Sequence, residues 1–131
     1  MDKSLLDQWN KLAVNDLKVS KILLRENQLL LSMFHLQQTT EKYLKMYFIA
    51  KKNGQPPYVH NLIRIAEVSD LLVTIDENHR DLLNALNPFY ITTRYPAYKN
   101  NLESTLTSDK VKDYIERTEE FISWLKQLMK Y

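Results

Sequence analysis

Between Leu30 and Ile49 the chain sets apolar residues at helical spacing on more than one side, and a helix built that way must be surrounded. At about 100° per residue, Leu30, Met33, Leu36, Thr40, Tyr43, Leu44 and Tyr47 fall on one broad, mainly apolar face. A second side carries Phe34, Gln37, Gln38, Glu41, Lys45 and Ile49, where polar groups alternate with bulky apolar ones. A surface helix would fill that side with solvated charge. The pattern predicts a helix packed on two sides, central to the fold or to an interface.

The rest of the chain has the same periodicity. Residues 3–26 read as a helix with Leu5, Trp9, Leu12, Ala13, Ser20 and Leu23 on one face. Asp16 lands among them, and a carboxylate there needs a partner, with Lys42 or His35 the candidates. The second helix spans about 29–52, with Glu41 and Lys45 a favourable i,i+4 pair. Lys51-Lys52-Asn53-Gly54 is a stop signal, with cations at the negative end of the helix dipole and Gly54 near C′. Pro56-Pro57 imposes an extended connection. His60 or Asn61 caps a short third helix over about 61–70. A fourth opens between Asp76 and His79 and buries Leu82, Leu83, Leu86 and Phe89. Pro88 inside that pattern predicts a kink or break. Residues 95–107 read as a loop. Thr107-Ser108-Asp109 signals a last N-cap, and a helix over about 109–130 buries Val111, Tyr114, Ile115, Thr118, Phe121, Ile122, Leu125 and Met129. The expected fold is all-α: an up-and-down bundle of about five helices, three long and two short, forming one domain over 1–131.

Composition agrees and removes several function classes. One glycine leaves little room for the tight turns of an all-β fold. With no cysteine there is no disulfide and no thiolate metal site. The net charge of +2 is too small for wholesale nucleic-acid binding, so any such role needs a local patch. No apolar run approaches the roughly 18 residues of a membrane span, and MDKSLLDQWNKLA lacks the apolar core of a signal peptide. A cytoplasmic protein is expected, with no membrane contact.

Three phrases carry a family resemblance. Phe34-His35-Leu36-Gln37-Gln38-Thr39-Thr40-Glu41-Lys42-Tyr43-Leu44-Lys45, then Pro56-Pro57-Tyr58-Val59-His60-Asn61-Leu62, then Pro88-Phe89-Tyr90-Ile91-Thr92-Thr93-Arg94-Tyr95-Pro96, occur in order. Together they resemble the signature of the HEPN domain family (higher eukaryotes and prokaryotes nucleotide-binding), over nearly the whole chain. The resemblance implies a helical bundle that commonly pairs as a dimer. It also implies one of two roles. The first is partnership with a small nucleotidyltransferase, with a toxin–antitoxin system as one setting. The second is nucleotide or RNA binding by the dimer itself.

Many members of that family are metal-independent ribonucleases with an Arg-x4–6-His motif. The chemistry needs a proton-transfer group and a cation to stabilise developing charge on phosphorus. Here four, five and six residues after Arg94 lead to Lys99, Asn100 and Asn101. Arg25, Arg64, Arg80 and Arg117 also lack a histidine at that spacing, and His60…Arg64 has the order reversed. His35, His60 and His79 are dispersed, without metal-ligand spacing. No glycine loop cradles phosphate and no G-x-S-x-G elbow appears. No metal and no cofactor is expected.

Arg94 with Tyr90, Tyr95 and Tyr98 is the sharper candidate site, because an arginine grips phosphate while a ring stacks on a base. The plainer reading has Arg94 capping a helix or pairing with Glu41 while the tyrosines fill the bundle. Gln37, Glu41 and Lys45 are either a polar seam between helices or protomers, or a pocket for a nucleotide or partner. Asp16 and His60 read as structural polar residues. The expected function is a non-catalytic HEPN-type binding module, dimeric because helix two is two-sided and Trp9 and Trp124 need cover. A ribonuclease toxin with a non-standard site is the alternative.

Overall fold

The structure, a computed structural model, describes residues 3–90 and 96–131. Among these, six α-helices are present: α1 (Lys3–Arg25), α2 (Leu29–Lys52), α3 (Leu62–Val68), α4 (Glu77–Leu86), α5 (Pro96–Ser104) and α6 (Ser108–Met129). Two 3-10 turns, Leu71–Val73 and Asn87–Tyr90, complete the order, and no strand occurs among the described residues. The class is all-α, with one helix more than the sequence suggests.

α2 occupies the centre. It packs against every other α-helix and against Asn87–Tyr90. Fourteen of its 24 residues are buried, compared with three of the 23 in α1. All seven residues of its expected main face are buried, and so are Gln37, Glu41, Lys45 and Ile49 on its second side.

α1 meets α2 along a face that overlaps the expected one only in part. Leu5 and Leu12 are 37% and 55% exposed, while Leu6, Ala13 and Ser20 are buried. These three lie seven residues apart, as do the buried Ser32, Thr39 and Met46 of α2. Seven-residue spacing on both helices is the signature of a close antiparallel seam. At its loop end, each of Ser20 and Ser32 donates its hydroxyl to the other's carbonyl at 2.8 Å. Ala13 and Ser20 of the expected face are buried and Trp9 packs against the core, but Leu6 takes the place expected of Leu5, and Leu12 lies off the seam. Thr39 and Thr40 satisfy their buried hydroxyls on the carbonyls of His35 and Leu36, at 2.8 and 2.9 Å.

Helix ends follow local chemistry. After α1, Asn27 takes a left-handed conformation, and the amides of Asn27 and Gln28 bond back to Leu24 and Leu23. That Schellman turn makes a three-residue link to α2 and forces an antiparallel hairpin. α2 stops at Asn53, φ 53°, so asparagine fills the left-handed position expected of Gly54, which has no positive φ. Asn61, Asp76 and Thr107 cap α3, α4 and α6 by accepting from the amides of Arg64, His79 and Lys110. α3 is shorter than expected and ends at Ser69, with Asp70 in a left-handed turn. α4 stops at Leu86, and Pro88 sits in the 3-10 turn that follows, as its missing N–H demands.

The expected loop at 95–107 contains α5. Pro96 stands at its first position, where a missing N–H is harmless. No residue of α5 is buried. With no apolar stripe to read, periodicity could not find it.

Tyr43 ties three helices together. It is 2% exposed, its hydroxyl donates to Asn10 Oδ1 of α1 at 2.8 Å, and the Lys126 ammonium of α6 lies 5.4 Å from its ring centroid. Burial, with Tyr131 adding to it, pushes its hydroxyl up to about 12 from the usual 10. The folded state therefore keeps a proton that the unfolded chain releases first. This contribution to stability is fully present below pH 10 and is lost as pH rises towards 12. We expect the stability difference between wild type and Tyr43→Phe to be flat up to pH 10 and to shift against wild type above it. Urea melts across that range test this, and a constant difference would refute it.

Candidate functional site

On α2, Gln37, Glu41 and Lys45 follow one another at i, i+4 and i+8, so they form one stripe. All three are buried. Lys45 Nζ donates to Glu41 Oε2 at 3.1 Å, with only 10% and 8% of the two side chains exposed.

The connection after α2 lays His60 over this stripe. Asn61 caps α3 and also accepts from Asn87 Nδ2 at 3.0 Å, while Asn87 Oδ1 accepts from the Leu62 amide at 2.7 Å. These two asparagines lock the start of α3 to the end of α4. His60 is thereby held with its carbonyl accepting from Gln37 Nε2 at 3.0 Å and its Nδ1–H donating to Glu41 Oε1, also at 3.0 Å. Gln37 Nε2 additionally reaches Glu41 Oε1 at 3.3 Å, and Gln38 Nε2 donates to Gln37 Oε1 at 2.7 Å. Glu41 thus gathers an ammonium, an imidazole and an amide around a carboxylate that water hardly reaches.

The break at Pro88 finishes the arrangement. The 3-10 turn carries Tyr90 back over His60, and the rings stack with centroids 5.4 Å apart and planes 20° apart. The His60 side chain is 59% exposed and Tyr90 40% exposed. With Nδ1 committed to Glu41, Nε2 has no hydrogen-bond partner among the described residues. The cluster therefore offers solvent a paired aromatic surface resting on a buried charge network.

The structure brings together four of the sequence-derived candidates, Gln37, Glu41, Lys45 and Tyr90. It adds His60, which the sequence suggested only as structural. Arg94 and Tyr95 lie outside the described residues. Tyr98, on α5, is 40% exposed and, among the described residues, makes no ring contact or hydrogen bond with the cluster. Asp16 is paired as expected, with both candidates: His35 Nδ1 at 3.0 Å and Lys42 Nζ at 2.5 Å. It lies at the edge of the α1 face, its side chain 14% exposed, not in the middle. Among the described residues, no group of three or more His, Asp or Glu side chains is arranged to hold a metal. Nor is any helix among them long and apolar enough to cross a membrane.

The phrases that build the cluster, from α2 and from His60-Asn61-Leu62, are those that carry the family resemblance. The HEPN domain model matches residues 6–128. The chain belongs to the HEPN domain family. The crystal structure of TT1696 from Thermus thermophilus is similar, with a TM-score of 0.75 and 20% identity over 93% of this chain and 96% of that one. At that identity the likeness concerns the fold alone. Among curated proteins, none matches the chain significantly. For this HEPN chain, then, function rests on the site.

Proposed function

We propose that this HEPN chain is a non-catalytic binding module, acting as a homodimer, that holds a nucleotide or single-stranded RNA at the His60–Tyr90 pair. The observation that carries the reading is the exposed ring stack anchored on buried Glu41. A base stacks on such a surface, and Nε2 of His60 supplies a directional hydrogen bond. Arg94, four residues past Tyr90, is the natural phosphate ligand. Exposed Leu5 and Leu12, seven residues apart and so on one side of α1, support a covered face in a dimer. The family context adds a small nucleotidyltransferase as protein partner, with a toxin–antitoxin pair as the setting. Co-purification with a nucleotidyltransferase encoded next to this chain tests that arm.

Tyr90→Ala is expected to weaken binding of a labelled short single-stranded RNA or a nucleotide by about 1–3 kcal/mol, the contribution of one base–aromatic stack. Because Tyr90 is partly exposed, its melting temperature should hold. Fluorescence anisotropy and thermal melts on one preparation decide. A fall in stability with unchanged binding would retire the site. Arg94→Ala should behave similarly, within the range of a charge-assisted hydrogen bond, about 1.5–3 kcal/mol.

One observation favours a second reading. A carboxylate-oriented imidazole on a side chain that is 59% exposed is also the arrangement of a general base. Cleavage of single-stranded RNA in EDTA, abolished by His60→Ala, would make the protein a ribonuclease with a non-standard site.

A further inference from the structure

A concavity apart from the ring stack takes Lys45 into its lining. It is a groove of about 520 Å³ between α1 and the α2–α3 connection, within the size range of small-molecule sites. Trp9 of α1 forms one wall, Pro56, Pro57 and Tyr58 form the other, and Ile49 and Lys45 of α2 contribute between them. The proline wall is preset. Two adjacent rings restrict the backbone, and Gln55 Nε2 donates to the Tyr58 hydroxyl at 2.7 Å.

Lys45 makes this more than an apolar cleft. Its side chain is nine-tenths buried, yet it lines an open groove. Among the described residues its ammonium has one hydrogen-bond acceptor, Glu41 Oε2. An ammonium carries three donors, so two have no acceptor among the described residues. Charge decides what enters. Glu41 already balances Lys45, so the pair carries no net charge to offset what a ligand carboxylate, phosphate or cation loses on leaving water. A neutral acceptor loses far less. Shape decides the remainder, since a groove lined by an indole and two proline rings admits a flat apolar ring.

The geometry points to this groove as a binding site for a neutral, planar aromatic ring bearing a carboxamide or equivalent carbonyl, with the carbonyl oxygen accepting from Lys45 Nζ and the ring against Trp9. The site is separate from the His60–Tyr90 surface and shares only Lys45 with it.

Benzamide and benzoate are the probes, because they have nearly the same shape and differ in charge. The chain has two tryptophans, so its indole N–H resonances report two places: Trp9 in the groove and Trp124 on α6. Benzamide should shift the Trp9 resonance saturably and leave Trp124 still. Benzoate should bind about tenfold or more weaker, as expected for an ion whose desolvation a balanced ion pair does not offset. Lys45→Met should weaken benzamide about tenfold. Should that variant not fold, Tyr58→Ala decides instead: Tyr58 is 88% exposed, so its loss should weaken benzamide several-fold at unchanged melting temperature. Tyr90→Ala should leave benzamide binding intact, which separates this site from the proposed nucleotide surface. No saturable Trp9 shift, equal shifts at both tryptophans, equal affinity for benzoate, or indifference to both groove variants would overturn the assignment.

Discussion

Asp16→Ala is expected to lower the stability of the fold by about 3 kcal/mol, the lower end of what stranding a buried cation costs. Asp16 is the acceptor for the Lys42 ammonium and for His35 Nδ1 across the α1–α2 seam. Its removal leaves both donors facing a methyl group. The side chains are not sealed, with 22% of Lys42 and 28% of His35 exposed, so water recovers part of the loss and the upper end of the range does not apply. Lys42→Met in the Asp16→Ala background should restore a good part of the loss, because the stranded charge goes with it. Urea melts of the four species form the double-mutant cycle. A single-mutant change under about 0.5 kcal/mol, typical of exposed positions, would mean the pair contributes nothing to holding α1 on α2.

That pairing is legible in the amino-acid pattern alone, because a carboxylate on an apolar helical stripe has few tolerable states. The central role of α2 is legible for a similar reason: only a surrounded helix carries bulky residues on two sides. The face of α1 is legible only in part, through Trp9, Ala13 and Ser20. Leu5 and Leu12 outweigh Ala13 and Ser20 on any hydrophobicity count, yet close helix packing selects the small residues at seven-residue spacing. α5 is illegible because its start depends on Pro96 at the first position and it buries nothing.

The candidate site divides along the same line. Gln37, Glu41 and Lys45 share a stripe by helical geometry, so their proximity follows from spacing alone. His60 stands 19 residues beyond Glu41, across a helix end and two prolines. Its position depends on how far the connection travels before Asn61 and Asn87 clasp, and no periodicity encodes that. Tyr90 reaches His60 only because the Pro88 turn is 3-10 and not a continued α4. A histidine directly before a capping asparagine is the available signal. It marks a residue held at a helix entry with its side chain free to reach a neighbour.

Glu41→Ala should be the most damaging single change at the site, about 4 kcal/mol, because Lys45 is 10% exposed and loses the one carboxylate that balances it. His60→Ala should be mild, under about 1 kcal/mol, since that side chain is 59% exposed and Lys45 still balances Glu41. The informative variant is the double replacement Glu41→Leu with Lys45→Leu. Exchanging a buried ion pair for apolar side chains of similar volume is often neutral or stabilising. If the double variant is as stable as wild type while RNA or nucleotide binding is lost, the pair serves to orient His60 and not to hold the bundle. If it remains several kcal/mol less stable, Glu41 is foremost a structural hub through its bonds with Gln37 and His60. Chemical denaturation and anisotropy on the three variants separate these outcomes. Retained binding in all three would place function away from the α2 stripe.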